Sequence, residues 1–141
     1  MREAFDNYML RITEVVSSRA TCPRRQVGCV IVDKNKHIIA TGYNGVPKGY
    51  PHCTDKPCGG QDADSGKGLS TCRATHAEQN SLLQCRDVNS IDTIYISTSP
   101  CITCAKLIAN TSCKRIVCSS MYNDMDALSL LSELGITVEC Y

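Results

Sequence analysis

At 141 residues, with 43% hydrophobic and 21% charged side chains, the chain has the size and composition of one globular domain, which excludes a disordered segment and a pair of full domains. A formal net charge of +1 excludes the broad basic field of a protein that grips long nucleic acid, and points to a small ligand instead. Eleven cysteines, an odd count, behind the charged opening run MREAFDNYMLRITEVV lead us to expect reduced thiols in a cytoplasmic protein with no membrane attachment, not a secreted disulfide framework.

Phe5, Met9, Ile12, Val15 and Val16 recur at helical spacing, predicting an amphipathic helix over residues 3–19 that Cys22 and Pro23 terminate. QVGCVIVD (26–33) and HIIATGY (37–43) are β-rich runs around the polar turn KNK, the pattern of an antiparallel hairpin. The stretch NGVPKGYPHCTDKPCGGQDADSGKG (44–68) is dense in Gly, Pro, Asp and Cys and has no periodicity. A loop of that length is usually functional, disordered or held by something. A second helix is expected over 74–86, with Ala77, Leu82 and Leu83 among its apolar positions. TIYIST (93–98) reads as a strand, CITCAKLIANT (101–111) as a helix and RIVCSS (115–120) as a strand. DALSLLSELG (126–135) reads as a helix closed by Gly135, and ITVECY as the last strand. Alternation of strands and helices demands a largely parallel sheet covered on both faces. The expected fold is therefore α/β, a three-layer α/β/α sandwich on a mixed five-stranded sheet that opens with an antiparallel hairpin, in a single domain over 1–141 without repeat or linker.

Two short motifs carry chemistry. SPCITCAKL sets Cys101 and Cys104 three residues apart on the first turn of a helix, where the positive end of the helix dipole favours the thiolates that metal requires. RATHAEQN places His76 and Glu78 two residues apart, a spacing at which helical side chains do not face each other. A metal resolves the puzzle. His76, Cys101 and Cys104 give three protein ligands and an open fourth position, the mark of a catalytic zinc, while Glu78, not a ligand, can reach a water at that position. Zinc brings the pKa of such a water from 15.7 to about 7, and a neighbouring carboxylate can relay its proton. Hydrolysis at an amidine-like carbon needs these functions together. A thioredoxin-like CxxC redox pair leaves His76 and Glu78 unexplained, and a zinc-stabilised binding module has no use for Glu78.

HAE followed by PCITC is the signature of zinc-dependent nucleobase deaminases. Within that superfamily the chain resembles the deoxycytidylate (dCMP) deaminases, through CPRRQVGCVIV (22–32), TGYNGVPKG (41–49), CRATHAEQN (72–80) and SPCITCAKLI (99–108), in family order. The resemblance implies a cytidine deaminase-like fold and hydrolysis of dCMP to dUMP and ammonia, in the service of dTMP synthesis. It assigns His76, Cys101 and Cys104 to the catalytic Zn2+ and Glu78 to proton transfer. Substrate contacts fall to Asn44, which would fix the sugar hydroxyl, to Ala77 and Ser99, to Tyr122 near base and sugar, and to Arg24 and Arg25, with Lys48, near the 5'-phosphate. It further implies a second, structural Zn2+ on Cys22, Cys53, Cys58 and Cys72, with His52 as a substitute ligand. Cys29, Cys85 and Cys118 are expected as small core hydrophobes. Family membership also implies a hexamer switched by dCTP with Mg2+ (activation) and dTTP (inhibition), with Gly45, Val46 and Lys48 near the effector. Rival readings in the same class are a bifunctional dCMP/dCTP deaminase, a tRNA adenosine deaminase and a riboflavin-pathway deaminase. The small net charge and GYNG argue against the RNA enzyme, and free cytidine deaminases usually carry Cys where His76 stands.

Overall fold

A computed structural model describes residues 1–53, 55 and 72–141. In chain order the described elements are α1 (Phe5–Ser17), β1 (Gly28–Asp33), β2 (Ile38–Tyr43), α2 (Ala77–Gln84), β3 (Ile91–Ile96), α3 (Ile102–Ala109), β4 (Arg115–Cys118), α4 (Met125–Glu133) and β5 (Thr137–Cys140), with a short 3-10 turn at Val88–Ser90. The strands form one sheet in the order β2-β1-β3-β4-β5. β1 pairs antiparallel with both β2 and β3, whereas β3–β4 and β4–β5 are parallel. The mixed sheet and its opening hairpin agree with the expectation.

Strand alternation divides the core into two layers. Cys29 and Ile31 of β1, Ile94 and Ile96 of β3 and Ile116 of β4 face one side, packing with Ala77 of α2, Ala105 and Ile108 of α3 and Ala127 and Leu131 of α4. Val30, Val32, Tyr95 and Val117 face the other, under Met9 of α1. That is the three-layer arrangement. Each fully buried Ile or Leu contributes about 1.5–3 kcal/mol by leaving water.

Two apolar positions inferred from periodicity are not in the core: Val15 is 70% exposed and Leu83 is 80% exposed. In α1 the buried position is taken by Thr13, whose Oγ1 donates to the Met9 carbonyl at 2.8 Å and so hides its polar atom within the helix. Cys29 and Cys118 are buried as expected, while Cys85, past the end of α2, is only half-buried. Gly135 takes a left-handed φ of 75° just after α4, the conformation that glycine adopts without a Cβ penalty.

α2 starts later than the expected 74–86, because Thr75 is engaged elsewhere: it exchanges two backbone hydrogen bonds with Gly45, at 3.1 and 2.8 Å. His76 therefore stands at the N-cap in an extended conformation. α2 rests almost directly on β2. A Cβ on Gly42 would lie 2.5 Å from Ser81 N and 2.7 Å from the Ala77 carbonyl, so only glycine lets helix and strand approach this closely.

On the α1 face, Asp6 collects partners from two strands, β3 and β4, and from the residue after the last strand. Arg115 grips both its oxygens, Tyr95 OH donates to Oδ1 at 2.6 Å, and Tyr141 OH donates to Oδ2 at 2.6 Å. Arg115 Nε also meets Glu139. The Arg115 guanidinium holds the Asp6 carboxyl well below the usual carboxylate range.

Candidate metal centre and substrate cleft

The two helix starts converge at one corner of the sheet. His76 is the N-cap residue of α2 and Cys101 that of α3, with Cys104 one turn inside. Gln79 Oε1 accepts from the His76 N–H at 2.8 Å, which fixes the main chain from which the imidazole reaches the sulfurs. His76 Nδ1 lies 3.2 Å from Cys104 Sγ and 3.5 Å from Cys101 Sγ. All three donor atoms lie within 4.8 Å of one another, the metal-capable cluster found among the described residues. Ligands around a tetrahedral zinc at 2.0–2.3 Å stand roughly 3.5 Å apart, so the donor set suits that ion in both chemistry and spacing.

The electrostatics are those of donors crowded around shared protons. A hydrogen bond from Cys104, reinforced by His76, pulls the Cys101 thiol down to about 4, against the opposing effect of burial. Cys104 moves upward because it donates that bond. His76 is raised, first through its hydrogen bond with Cys101. Glu78, only 6% exposed, is pushed up by burial.

The cluster opens into a cleft enclosing about 770 Å³ of space, its mouth included. His76, Glu78 and Cys101 line it together with Arg24, Arg25, Asn44, Ala77, Ser99 and Tyr122, so the residues assigned from the sequence to catalysis and substrate stand on one surface, with the exception of Lys48. Cys104 lies behind it, fully buried. Among the described residues, Gly45, Val46 and Lys48 are not part of this lining; Gly45 is tied to Thr75 and Lys48 is exposed.

Several of these side chains have structural partners. The Asn44 carboxamide accepts from Val27 N–H at 2.7 Å and donates to the Arg25 carbonyl at 2.9 Å, splicing GYNG to the segment that leads into β1. The Arg25 guanidinium carbon stands 5.0 Å from the centre of the Tyr122 ring, so cation and aromatic build one wall together. Ser99 Oγ accepts from Tyr122 N–H at 2.6 Å and donates to the Tyr122 carbonyl at 3.2 Å, which holds the wall to the loop before Cys101.

Cys22 and Cys72 also line the cleft, Cys53 is buried, and His52 Nδ1 is 3.3 Å from Thr21 Oγ1. Cys58 lies outside the described residues.

The family model for the cytidine and deoxycytidylate deaminase zinc-binding region matches residues 3–120. The chain belongs to that family. A deoxycytidylate deaminase of Saccharomyces cerevisiae is 38% identical over 141 residues, covering 98% of this chain and 45% of its own length. The chain thus spans less than half of that relative. A deoxycytidylate deaminase of Mycobacterium phage D29 is 37% identical over 122 residues, 82% of this chain and 94% of the phage protein. The dCMP deaminase of cyanophage S-TIM5, solved in complex with dCMP and dUMP, superposes with a TM-score of 0.80 at 27% identity, over 100% of this chain and 99% of that one. The match to the deaminase fold agrees with the architecture expected from sequence.

Sequence reasoning did not find Gln79 or Thr98 in this deaminase-family site. Gln79 had a readable signal, since a Gln three residues after an N-cap is half of a capping box. Thr98 lines the cleft between β3 and Ser99 with no motif to mark it.

Proposed function

We propose that this chain hydrolyses the exocyclic amine of a cytosine deoxynucleotide, converting dCMP and water to dUMP and ammonia. The observation that carries the reading is the His76 imidazole within 3.5 Å of two cysteine sulfurs, with the buried Glu78 carboxyl in the same cleft. Relatives named deoxycytidylate deaminase, and a solved relative holding dCMP and dUMP, support the choice of substrate.

His76, Cys101 and Cys104 would hold zinc, which when bound supplies a Lewis acid and makes water acidic near neutrality. Glu78 does the proton work. Burial raises its carboxyl, so it can take a proton from water adding at C4 and pass it to N3. A second transfer through the same carboxyl loads the exocyclic nitrogen, which departs as ammonia while the C4 carbonyl forms. Ala77, at the first turn of α2, and Ser99 flank the base; Tyr122 and Arg25 close the sugar side. Asn44 retains an amide hydrogen for a sugar hydroxyl. Arg24, Arg25 and Lys48 supply positive charge for the 5'-phosphate, and guanidinium forks suit that anion.

The same reading includes a structural zinc on Cys22, Cys53, Cys58 and Cys72, which would order the intervening loop. It also includes a hexamer activated by dCTP with Mg2+ and inhibited by dTTP, with Gly45, Val46 and Lys48 at the effector. A role in pyrimidine nucleotide supply and a cytoplasmic setting follow from substrate and from thiolates that must stay reduced. No described helix is long and apolar enough to cross a membrane.

The test is ammonia release from dCMP, dCTP, deoxycytidine and CMP in parallel, with and without dTTP, on zinc-loaded and chelator-stripped protein. The expected result is release from dCMP that chelation abolishes and zinc restores. Stoichiometric zinc with no ammonia from any substrate would instead mark a binding module, and turnover of dCTP as well as dCMP a bifunctional enzyme.

A further inference from the structure

Cys101 stands at the N-cap of α3, where a side-chain oxygen ordinarily accepts from the first-turn N–H groups. Its thiol turns instead to His76, and α3 begins without a side-chain cap of its own. The acceptor comes from another element. Asp124, the N-cap of α4, accepts from Ala127 N–H through Oδ1 at 3.1 Å and from Ile102 N–H through Oδ2 at 2.8 Å. One carboxylate closes the first turns of two helices, and the residue it grips in α3 follows directly on Cys101.

The other flank of Cys101 is tied to the same loop. Ser99 N–H donates to the Ser120 carbonyl at 3.0 Å, Ser99 Oγ accepts from Tyr122 N–H at 2.6 Å, and Ser120 Oγ donates to the Ser97 carbonyl at 3.1 Å. Pro100, with its fixed φ, leaves little freedom between these ties. Capping α4 requires only one oxygen of Asp124. The second oxygen is committed to the metal corner.

We infer that Asp124 is a positioning residue of the metal centre: by holding Ile102 N–H, its carboxylate sets where the Cys101 sulfur lies relative to His76 and Cys104. This rests on the proposal that those three residues bind zinc. Zinc–sulfur bonds near 2.3 Å tolerate little displacement, and loss of a supporting partner typically costs about 10–100-fold in metal affinity.

The experiment compares wild type, Asp124→Ser and Asp124→Ala, reading zinc affinity by competition with a chromogenic chelator and the melting temperature of each stripped chain. Serine is a good N-cap and keeps α4 closed, but its shorter side chain does not reach Ile102. We expect Asp124→Ser to bind zinc about tenfold more weakly at nearly wild-type melting temperature, and its cobalt(II) form to show a weakened sulfur-to-metal charge-transfer band. Asp124→Ala should lose stability as well. If Asp124→Ser fails to fold, Asp124→Asn, of the same shape with one acceptor oxygen, carries the same comparison. Wild-type zinc affinity in the serine or asparagine variant, with only the alanine variant melting early, overturns the inference and leaves Asp124 a helix cap. Wild-type protein that binds no zinc is a separate failure, since it removes the metal centre and this role with it.

Discussion

Asp6 and Glu78 are carboxylates on opposite faces of one sheet, each facing residues brought from distant parts of the chain. Around Asp6 every partner is a donor or an opposite charge: Arg115 with two nitrogens, Tyr95 and Tyr141 with their hydroxyls. Around Glu78 stand two sulfurs and an imidazole, and burial pushes its carboxyl up where Arg115 holds that of Asp6 down. The first group is satisfied and fastens α1 to the sheet. The second is a buried carboxyl beside a cluster of metal-capable donors in a cleft, the setting in which shifted groups accompany function.

The contrast can be broken most sharply at Glu78. Glu78→Gln should cut deamination at least about a thousandfold while zinc content holds and the melting temperature stays level or rises, because an amide is cheaper to bury than a carboxylate. A loss of activity that tracks a loss of zinc would assign Glu78 to ligation instead of proton transfer. Asp6→Asn should do the reverse. Removing the charge that Arg115 and two hydroxyls address should cost about 2 kcal/mol, near 6 °C in melting temperature, with turnover per folded molecule unchanged. The smallest effect sharpens the comparison by pH. Because the folded Asp6 carboxyl is depressed, its stabilisation is complete above the unfolded value of about 3.9 and fades as pH falls through that value toward the folded one. The difference in urea midpoint between wild type and Asp6→Asn should therefore be constant from pH 7 to 5 and shrink below about 4.

How much of this was legible in the sequence depends on the range of each interaction. HAE and PCITC are local, and local spacing was enough to bring His76, Cys101, Cys104 and Glu78 to one corner. The strands were legible as β-rich runs, but which residues of β1 and β3 face which layer came only with the structure. Helix faces read less well: Val15 and Leu83 fit an apolar pattern yet lie exposed, because Thr13 can bury by bonding its own helix and α2 offers the sheet a small-residue face. The start of α2 was missed by three residues, since the competing claim on Thr75 comes from Gly45, thirty positions earlier in the chain. The Asp6 cluster had no signal at all. Its partners lie 89, 109 and 135 residues away, and nothing in a charged first turn announces them. Asn44 was legible as a notable residue, but its carboxamide bonds to the Arg25–Val27 segment were not.

The contact at Gly42 has a consequence for motion. With Ser81 N and the Ala77 carbonyl against bare strand backbone, α2 has no side chain beneath it at Gly42 to compress or slide upon. His76 and Glu78, both at the head of that helix, are carried as a stiff pair. Flexing at the cleft is therefore left to the loops around them, while the backbone positions from which imidazole and carboxyl project stay together.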